Sequence, residues 1–141
     1  MEHYSIVPYS HYRDEEIKPL YESVGWTSYL RYPELLPEAY AHSLKTFAAY
    51  DRKRLVGIIR AVGDGVSILY IQDLLVHPEY QHKGIGKRLI AEMLNAYPDV
   101  NQTVLLTDDS DETTGFYKSA GFQKVQLAGC CSFIRLHSYY G

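Results

Sequence analysis

Only two cysteines occur in 141 residues. They are Cys130 and Cys131, adjacent in an apolar stretch, so they match neither a disulfide framework nor the spacing of a zinc site, and buried strand positions are expected of them. The six histidines are scattered, and His77 and His82 stand either side of a proline, so no metal site is expected. No apolar run reaches the roughly 18 residues of a membrane-crossing helix. The opening MEHYSIVPYSHYRDEE lacks the basic and apolar regions of a signal peptide, so a cytoplasmic location is expected, without membrane attachment. Basic excess is absent as well: 14 Lys and Arg against 17 Asp and Glu leave a net charge of -3. That balance speaks against nucleic-acid binding and mildly favours a cationic partner. Linkers, repeats and low-complexity segments are missing too. The 46% hydrophobic content suits a single domain over residues 1–141 with a core of its own. What the chain has in excess is tyrosine, 14 in all beside one tryptophan.

The order of elements follows from apolar spacing. SIVPY reads as a first strand, and EEIKPLYESV places Ile17, Leu20, Tyr21 and Val24 at helical spacing before Gly25. PELLPEAYAHSL reads as a second helix with Pro37 constraining its start. TFAAYD and RLVGIIRAV form a hairpin about the charged turn Asp51 to Lys53, and Gly63-Asp64-Gly65 reverses the chain again. SILYIQDLLV then reads as a long central strand, buried on both faces toward Val76. The next helix carries Ile85, Leu89, Ile90, Met93, Leu94 and Tyr97 on one face and stops before Pro98. QTVLLTDD is a further strand. DETTGFYKSAG is a short helix, with Asp109 as a possible cap answered by Glu112. Two last strands are expected around FQKVQLA and CSFIRLHS. The class is mixed α/β, a mixed sheet with helices on its faces.

VHPEYQHKGIGKRLI, residues 76–90, breaks the usual rule for a helix start. The exposed N–H groups and the macrodipole favour acids there, and each cation costs about 0.3–1 kcal/mol. Here His82, Lys83, Lys87 and Arg88 surround Gly84 and Gly86, and no acid occurs from Gln81 to Ala91. A bound anion would resolve the conflict. The dinucleotide fingerprint fails, because Leu89 occupies its third glycine and a loop from His77 to Lys83 separates strand from glycine. A P-loop fails too, with Gln81 where a glycine is needed and Arg88 where Ser or Thr is needed. The pattern Q-x-x-G-x-G remains.

This stretch resembles the acetyl-CoA signature of the GNAT superfamily of acyl-CoA-dependent N-acyltransferases. The likeness joins a strand ending in Leu-Val, a nearby proline, and Gln81-His82-Lys83-Gly84-Ile85-Gly86 opening a helix. Downstream, GFYKSAGF is similar to a second segment of that family, with Tyr117 and Gly121-Phe122 in matching places. The two cover the chain from about Ser67 to Phe122. The resemblance implies a GNAT-type central mixed sheet whose strands splay at the cofactor site. It implies coenzyme A as cofactor, carried as acetyl-CoA. Gln81, His82, Lys83, Gly84, Ile85, Gly86 and Lys87 would surround its pyrophosphate, and the backbone of Leu74, Leu75 and Val76 would pair with pantetheine. Family members often have Asn seven residues before the matching tyrosine; Ser110 stands there, able to donate one hydrogen bond to the cofactor arm or to cap the helix.

The implied activity is transfer of an acetyl group to a primary amine, a small molecule, by direct attack in a ternary complex. Two other readings stay open: a non-catalytic acyl-CoA sensor, and an enzyme acting on protein Lys or N-terminal amines. Holding an alkyl amine (pKa ~10.4) as free base at neutral pH costs about 4–5 kcal/mol, so a base or a desolvating pocket is needed. Asp73, just before Leu74, is the candidate base, and it could equally be ion-paired or exposed; Tyr70, Glu112 and Asp109 are substitutes. The leaving thiolate needs a proton, for which Tyr117 is the candidate by family likeness. GWTSYLRYP places Trp26, Tyr29, Arg31 and Tyr32 in one loop-like segment that could line the acceptor mouth, where the aromatic faces suit a cation. Monomer and homodimer are both compatible with the sequence.

Overall fold

The computed structural model describes residues 3–137. The chain forms two compact units, Met1–Leu106 and Thr107–Gly141. The first contains one five-stranded sheet in the order β1-β2-β3-β4-β5. Strand β1 is Tyr4–Pro8, β2 Lys45–Asp51, β3 Arg54–Gly63, β4 Ile68–Val76 and β5 Gln102–Leu105. Neighbours from β1 to β4 run antiparallel, and β4 and β5 run parallel. Helices α1 (Asp14–Ser23) and α2 (Leu35–Ala41) lie between β1 and β2, and α3 (Ile85–Ala96) connects β4 to β5. The mixed α/β class expected from the sequence is therefore the class found.

Helix α1 begins with Asp14, Glu15 and Glu16 at its positive end. It buries Ile17, Leu20 and Tyr21 against Ala48, Leu55, Ile58 and Leu75 of the sheet and Leu36 of α2. Helix α3 buries Ile85, Leu89, Ile90 and Met93, each contributing about 1.5–3 kcal/mol. Gly57 of β3 lies beneath it: an added Cβ would come within 3.2 Å of Leu89 Cδ1 and 3.3 Å of Ile85 Cγ2. Glycine there lets helix and strand approach closely.

The middle strand is β3, not β4 as expected. β3 is buried without interruption from Leu55 to Ala61, whereas β4 alternates, with Leu69, Ile71, Asp73 and Leu75 buried. The continuous apolar end of the β4 sequence reflects two half-buried residues, Leu74 and Val76, rather than burial on both faces.

The turn between β3 and β4 is held by Asp64, whose Oδ1 accepts from the N–H groups of Val66, Ser67 and Ile68 at 2.8, 2.8 and 3.1 Å, while Oδ2 accepts from the Ser67 hydroxyl at 2.6 Å. These bonds, that of Ser67 first, hold the Asp64 carboxyl well below the usual range. Its contribution to stability is thus present above the unfolded-state pKa of about 3.9 and is lost as pH falls toward the depressed folded value. Gly63 is the conformational key to the turn. Its φ is +127°, and a Cβ would lie 2.5 Å from the Ile68 carbonyl oxygen. Gly63→Ala is expected to cost about 2–3 kcal/mol, read as a lower thermal midpoint by circular dichroism; an unchanged midpoint would contradict the geometry.

In the second unit α4 spans Asp111–Ser119, and Val125–Ala128 forms a short 3-10 turn. The strands expected around FQKVQLA and CSFIRLHS do not form in the described residues; Ser138, at the end of the latter, lies outside them. Cys130 and Cys131 are exposed rather than buried. Nearby Phe133 is 92% exposed. The α4 cap is Ser110, which accepts from the Thr113 N–H. Asp109 does not cap; it pairs with Lys124 at 3.1 Å.

Candidate active site

β5 is short, and its length shapes the site. It pairs with Ile68–Ile71 of β4 and stops at Leu105. β4 continues to Val76 with β3 on its other side, Val76 opposite Gly57 and Leu74 opposite Ile59. From Gln72 to Val76, therefore, one edge of β4 has no strand partner among the described residues, and the sequence-nominated Leu74, Leu75 and Val76 lie on that stretch.

The chain leaves β4 through His77, whose Nδ1 accepts from the Glu79 N–H at 3.1 Å and caps a 3-10 turn over Pro78–Tyr80. Gln81 returns its side chain to the strand end, donating to the Val76 carbonyl at 3.0 Å. His82 then adopts φ +63° and Gly84 φ +84°. A non-glycine residue in the left-handed region, as His82 is, is uncommon and carries strain, and the two positive-φ residues flanking Lys83 turn the backbone sharply into α3. Gly84 is the N-cap and no side chain caps the helix. A Cβ at Gly84 would meet nothing within 4 Å, so conformation rather than crowding requires glycine, and space is open beside it. Ile85 is buried under the helix, while Lys87 and Arg88 are exposed and the first turn holds no acid. The first N–H groups of α3 lack helical partners by construction, and they meet a cation-rich surface. This is an anion-receptive helix start.

Asp73 lies at the opposite extreme of exposure. Its side chain is fully buried, with Oδ2 bound by Arg60 Nε at 2.7 Å and the Tyr21 hydroxyl at 2.8 Å, and Oδ1 bound by the Tyr29 hydroxyl at 2.7 Å. Of the two environments open to Asp73 as a strand acid, ion-paired or exposed, the ion pair is the one found. Arg60 and Asp73 are cross-strand neighbours at the point where the β3–β4 register shifts. Arg60 also donates to Ser43 Oγ at 3.1 Å and stands over the Tyr40 ring. Because Tyr21 gives its one proton to a carboxylate, Tyr40 must be the donor in the 2.8 Å contact between their hydroxyls. Arg60, Tyr21, Tyr40 and Gln72 belong to no motif. The available signal was an Arg in the apolar run RLVGIIRAV, since a buried guanidinium needs an acid and DLLV supplies one.

Trp26 and Tyr29 come together about the 3-10 turn Thr27–Leu30, their ring centroids 6.4 Å apart. Tyr21 packs against both, at 6.2 and 5.2 Å. Tyr32 is 54% exposed and, unlike Tyr29, outside the Asp73 network. Gln72 Nε2 donates to the Tyr29 hydroxyl at 3.1 Å, so this aromatic segment reaches β4 at the first residue beyond the β5 pairing.

Within the second unit, Ser110 Oγ caps α4 and donates to Thr113 Oγ1 at 2.9 Å. Tyr117 packs between Phe116 and Phe122, at 5.0 and 5.8 Å. Burial, then the Asp108 charge, raises its hydroxyl pKa.

Comparison with known proteins shows the family. Residues 10–139 match the family model of the acetyltransferase (GNAT) domain. An uncharacterized N-acetyltransferase ycf52-like of Prochlorococcus marinus is 31% identical over 124 residues, 84% of this chain and 67% of its own. An uncharacterized N-acetyltransferase ycf52 of Gracilaria tenuistipitata var. liui is 32% identical over 114 residues, 76% of this chain but only 60% of its own. Among solved structures, a GNAT family acetyltransferase from Streptococcus pneumoniae superposes with a TM-score of 0.87 at 35% identity, covering 96% of this chain and 99% of that one. A family model that spans nearly the whole sequence, joined to an uncapped, acid-free helix start beside an open strand edge, identifies the chain as a member of the GNAT family of acetyltransferases.

Proposed function

We propose that residues 1–141 act as one catalytic domain that transfers the acetyl group of acetyl-CoA to the primary amine of a small-molecule acceptor, by direct attack within a ternary complex. The observation that carries this reading is the start of α3: three cationic side chains and a histidine, no acid and an uncapped glycine leave a place that a diphosphate completes. The residues present fit that group. Backbone from His82 to Lys87 would hold the pyrophosphate, with Gln81 fixing the loop to β4. The open edge at Leu74, Leu75 and Val76 offers N–H and C=O groups at strand spacing to the amides of pantetheine. Acetyl-CoA supplies the activated acyl group. Ser110, as cap of α4, and Tyr117 would serve the cofactor arm and the leaving sulfur. Trp26, Tyr29 and Tyr32 would line the acceptor mouth, where aromatic faces favour an amine cation. No helix among the described residues is long and apolar enough to cross a membrane, and we take the enzyme to work in the cytoplasm.

Calorimetric titration with coenzyme A tests the cofactor assignment, and Lys87→Glu sharpens it by separating two signs. Exchanging a cation for an anion in the first turn of α3 favours the macrodipole, so the ligand-free variant should gain about 0.3–1 kcal/mol and melt slightly higher. The same change opposes a diphosphate, and coenzyme A should bind about tenfold more weakly. Equal affinity in both proteins would remove the anion site. Thiol release from acetyl-CoA across a panel of amines and peptides then separates a small-molecule enzyme from a protein-modifying one, and tight cofactor binding without turnover would indicate a sensor.

A further inference from the structure

The Tyr29 hydroxyl has one proton and two lone pairs to dispose of. The proton is committed to Asp73 Oδ1 at 2.7 Å, and Gln72 Nε2 fills one acceptor direction at 3.1 Å. Asp73 cannot turn away, because its other oxygen holds Arg60 and Tyr21 and its side chain is fully buried. One lone pair of Tyr29 is left, at a partly exposed ring beside Trp26, which is 36% exposed.

We propose that Tyr29 is a hydrogen-bond acceptor of fixed polarity that selects acceptor molecules presenting an N–H or O–H donor, and that Asp73 is a positioning residue acting through it. This rests on the assignment of the segment to the acceptor mouth and adds a direction to it. Burial and then the Asp73 charge push the Tyr29 pKa up to about 12, so the hydroxyl keeps its proton at neutral pH. Transfer of a ligand proton to Tyr29 would send the tyrosine proton to Asp73 and leave Arg60 buried beside a neutral acid, which is costly. Tyr29 therefore holds the amine and does not deprotonate it. The Trp26 face beside it suits the same cation, so the ligand class is a protonated amine rather than a carbonyl or ether of the same shape.

Trp26 is the single tryptophan, and its fluorescence reports on this site directly. Three probes share one ring: cyclohexylamine and cyclohexanol carry donors, and cyclohexanone only accepts. The wild-type protein should give saturable changes with the amine and the alcohol, and bind the ketone about tenfold more weakly. Tyr29→Phe, which retains the ring, should erase that preference. Gln72→Leu, which frees the second lone pair, should keep or increase it. Asp73→Asn, measured in the cold where it is folded, releases the Tyr29 proton toward the ligand and should shift preference toward the ketone; a structural role alone would not move this ratio. Equal binding of amine and ketone, an unchanged preference in Tyr29→Phe, or no saturable response to the amine would overturn the proposal. Coenzyme A titration of the same samples keeps the outcomes apart: lost cofactor binding counts against the enzyme reading, and a failed ratio with intact cofactor binding counts against Tyr29 alone.

Discussion

Asp73→Asn should destabilise the protein by about 3–5 kcal/mol, lowering the thermal midpoint by roughly 10–20 °C for a chain of this size. The reason is the guanidinium left behind. Arg60 is 4% exposed, and Asp73 is its buried counter-charge, so the neutral amide leaves an uncompensated cation in the interior beside Ser43 and the Tyr40 ring. Removing both charges is a different experiment. Arg60→Met with Asp73→Leu should recover more than half of the loss, because an apolar pair of similar volume avoids desolvating any ion. Urea unfolding of the two single variants and the double one gives the coupling directly. If Asp73→Asn unfolds within about 1 kcal/mol of the wild type, the buried pair is not what holds β3 and β4 in this register.

Tyr117→Phe should lower turnover about a hundredfold and leave coenzyme A affinity within a factor of about three. The ring carries the packing against Phe116 and Phe122 and is retained, so only the hydroxyl is tested and stability should fall by no more than about 1 kcal/mol. Burial and the Asp108 charge keep that hydroxyl protonated to higher pH than a free tyrosine. Activity that depends on its proton should therefore hold through neutral pH and decline only on the alkaline side, and the variant should lack that decline. Steady-state thiol release across pH measures both effects. An unchanged turnover number would eliminate Tyr117 as the proton donor to sulfur.

How far the sequence could be read depended on whether the informative pattern was local. Helix α3 was legible because Ile85, Leu89, Ile90 and Met93 repeat at helical spacing, and the same residues are buried. The β2–β3 hairpin was legible from a charged turn between two apolar runs. The last expected strands were not, since β-branched and aromatic content says that a segment could pair and leaves open whether an edge exists to pair with. The exposed Phe133 and Ile134 belong to such a segment. In the candidate site, the glycine motif located the cation-rich helix start, a feature of adjacent residues. The environment of Asp73 was harder, because it is assembled from Tyr21, Tyr29, Tyr40 and Arg60 on four separate stretches of chain. An acid in an apolar strand announces burial and does not name its partners.

The brevity of β5 also bears on how the sheet comes together. Strands β2, β3 and β4 are joined by tight reversals, whereas β1 and β5 each close a longer segment, and β5 closes about 30 residues, 72 to 101, to gain pairing at Ile68–Ile71 alone. Non-local parallel pairing of this kind is slow to form, and a short ladder opens readily. This short ladder is therefore the part of the sheet expected to loosen first, and it adjoins the edge that faces the proposed cofactor.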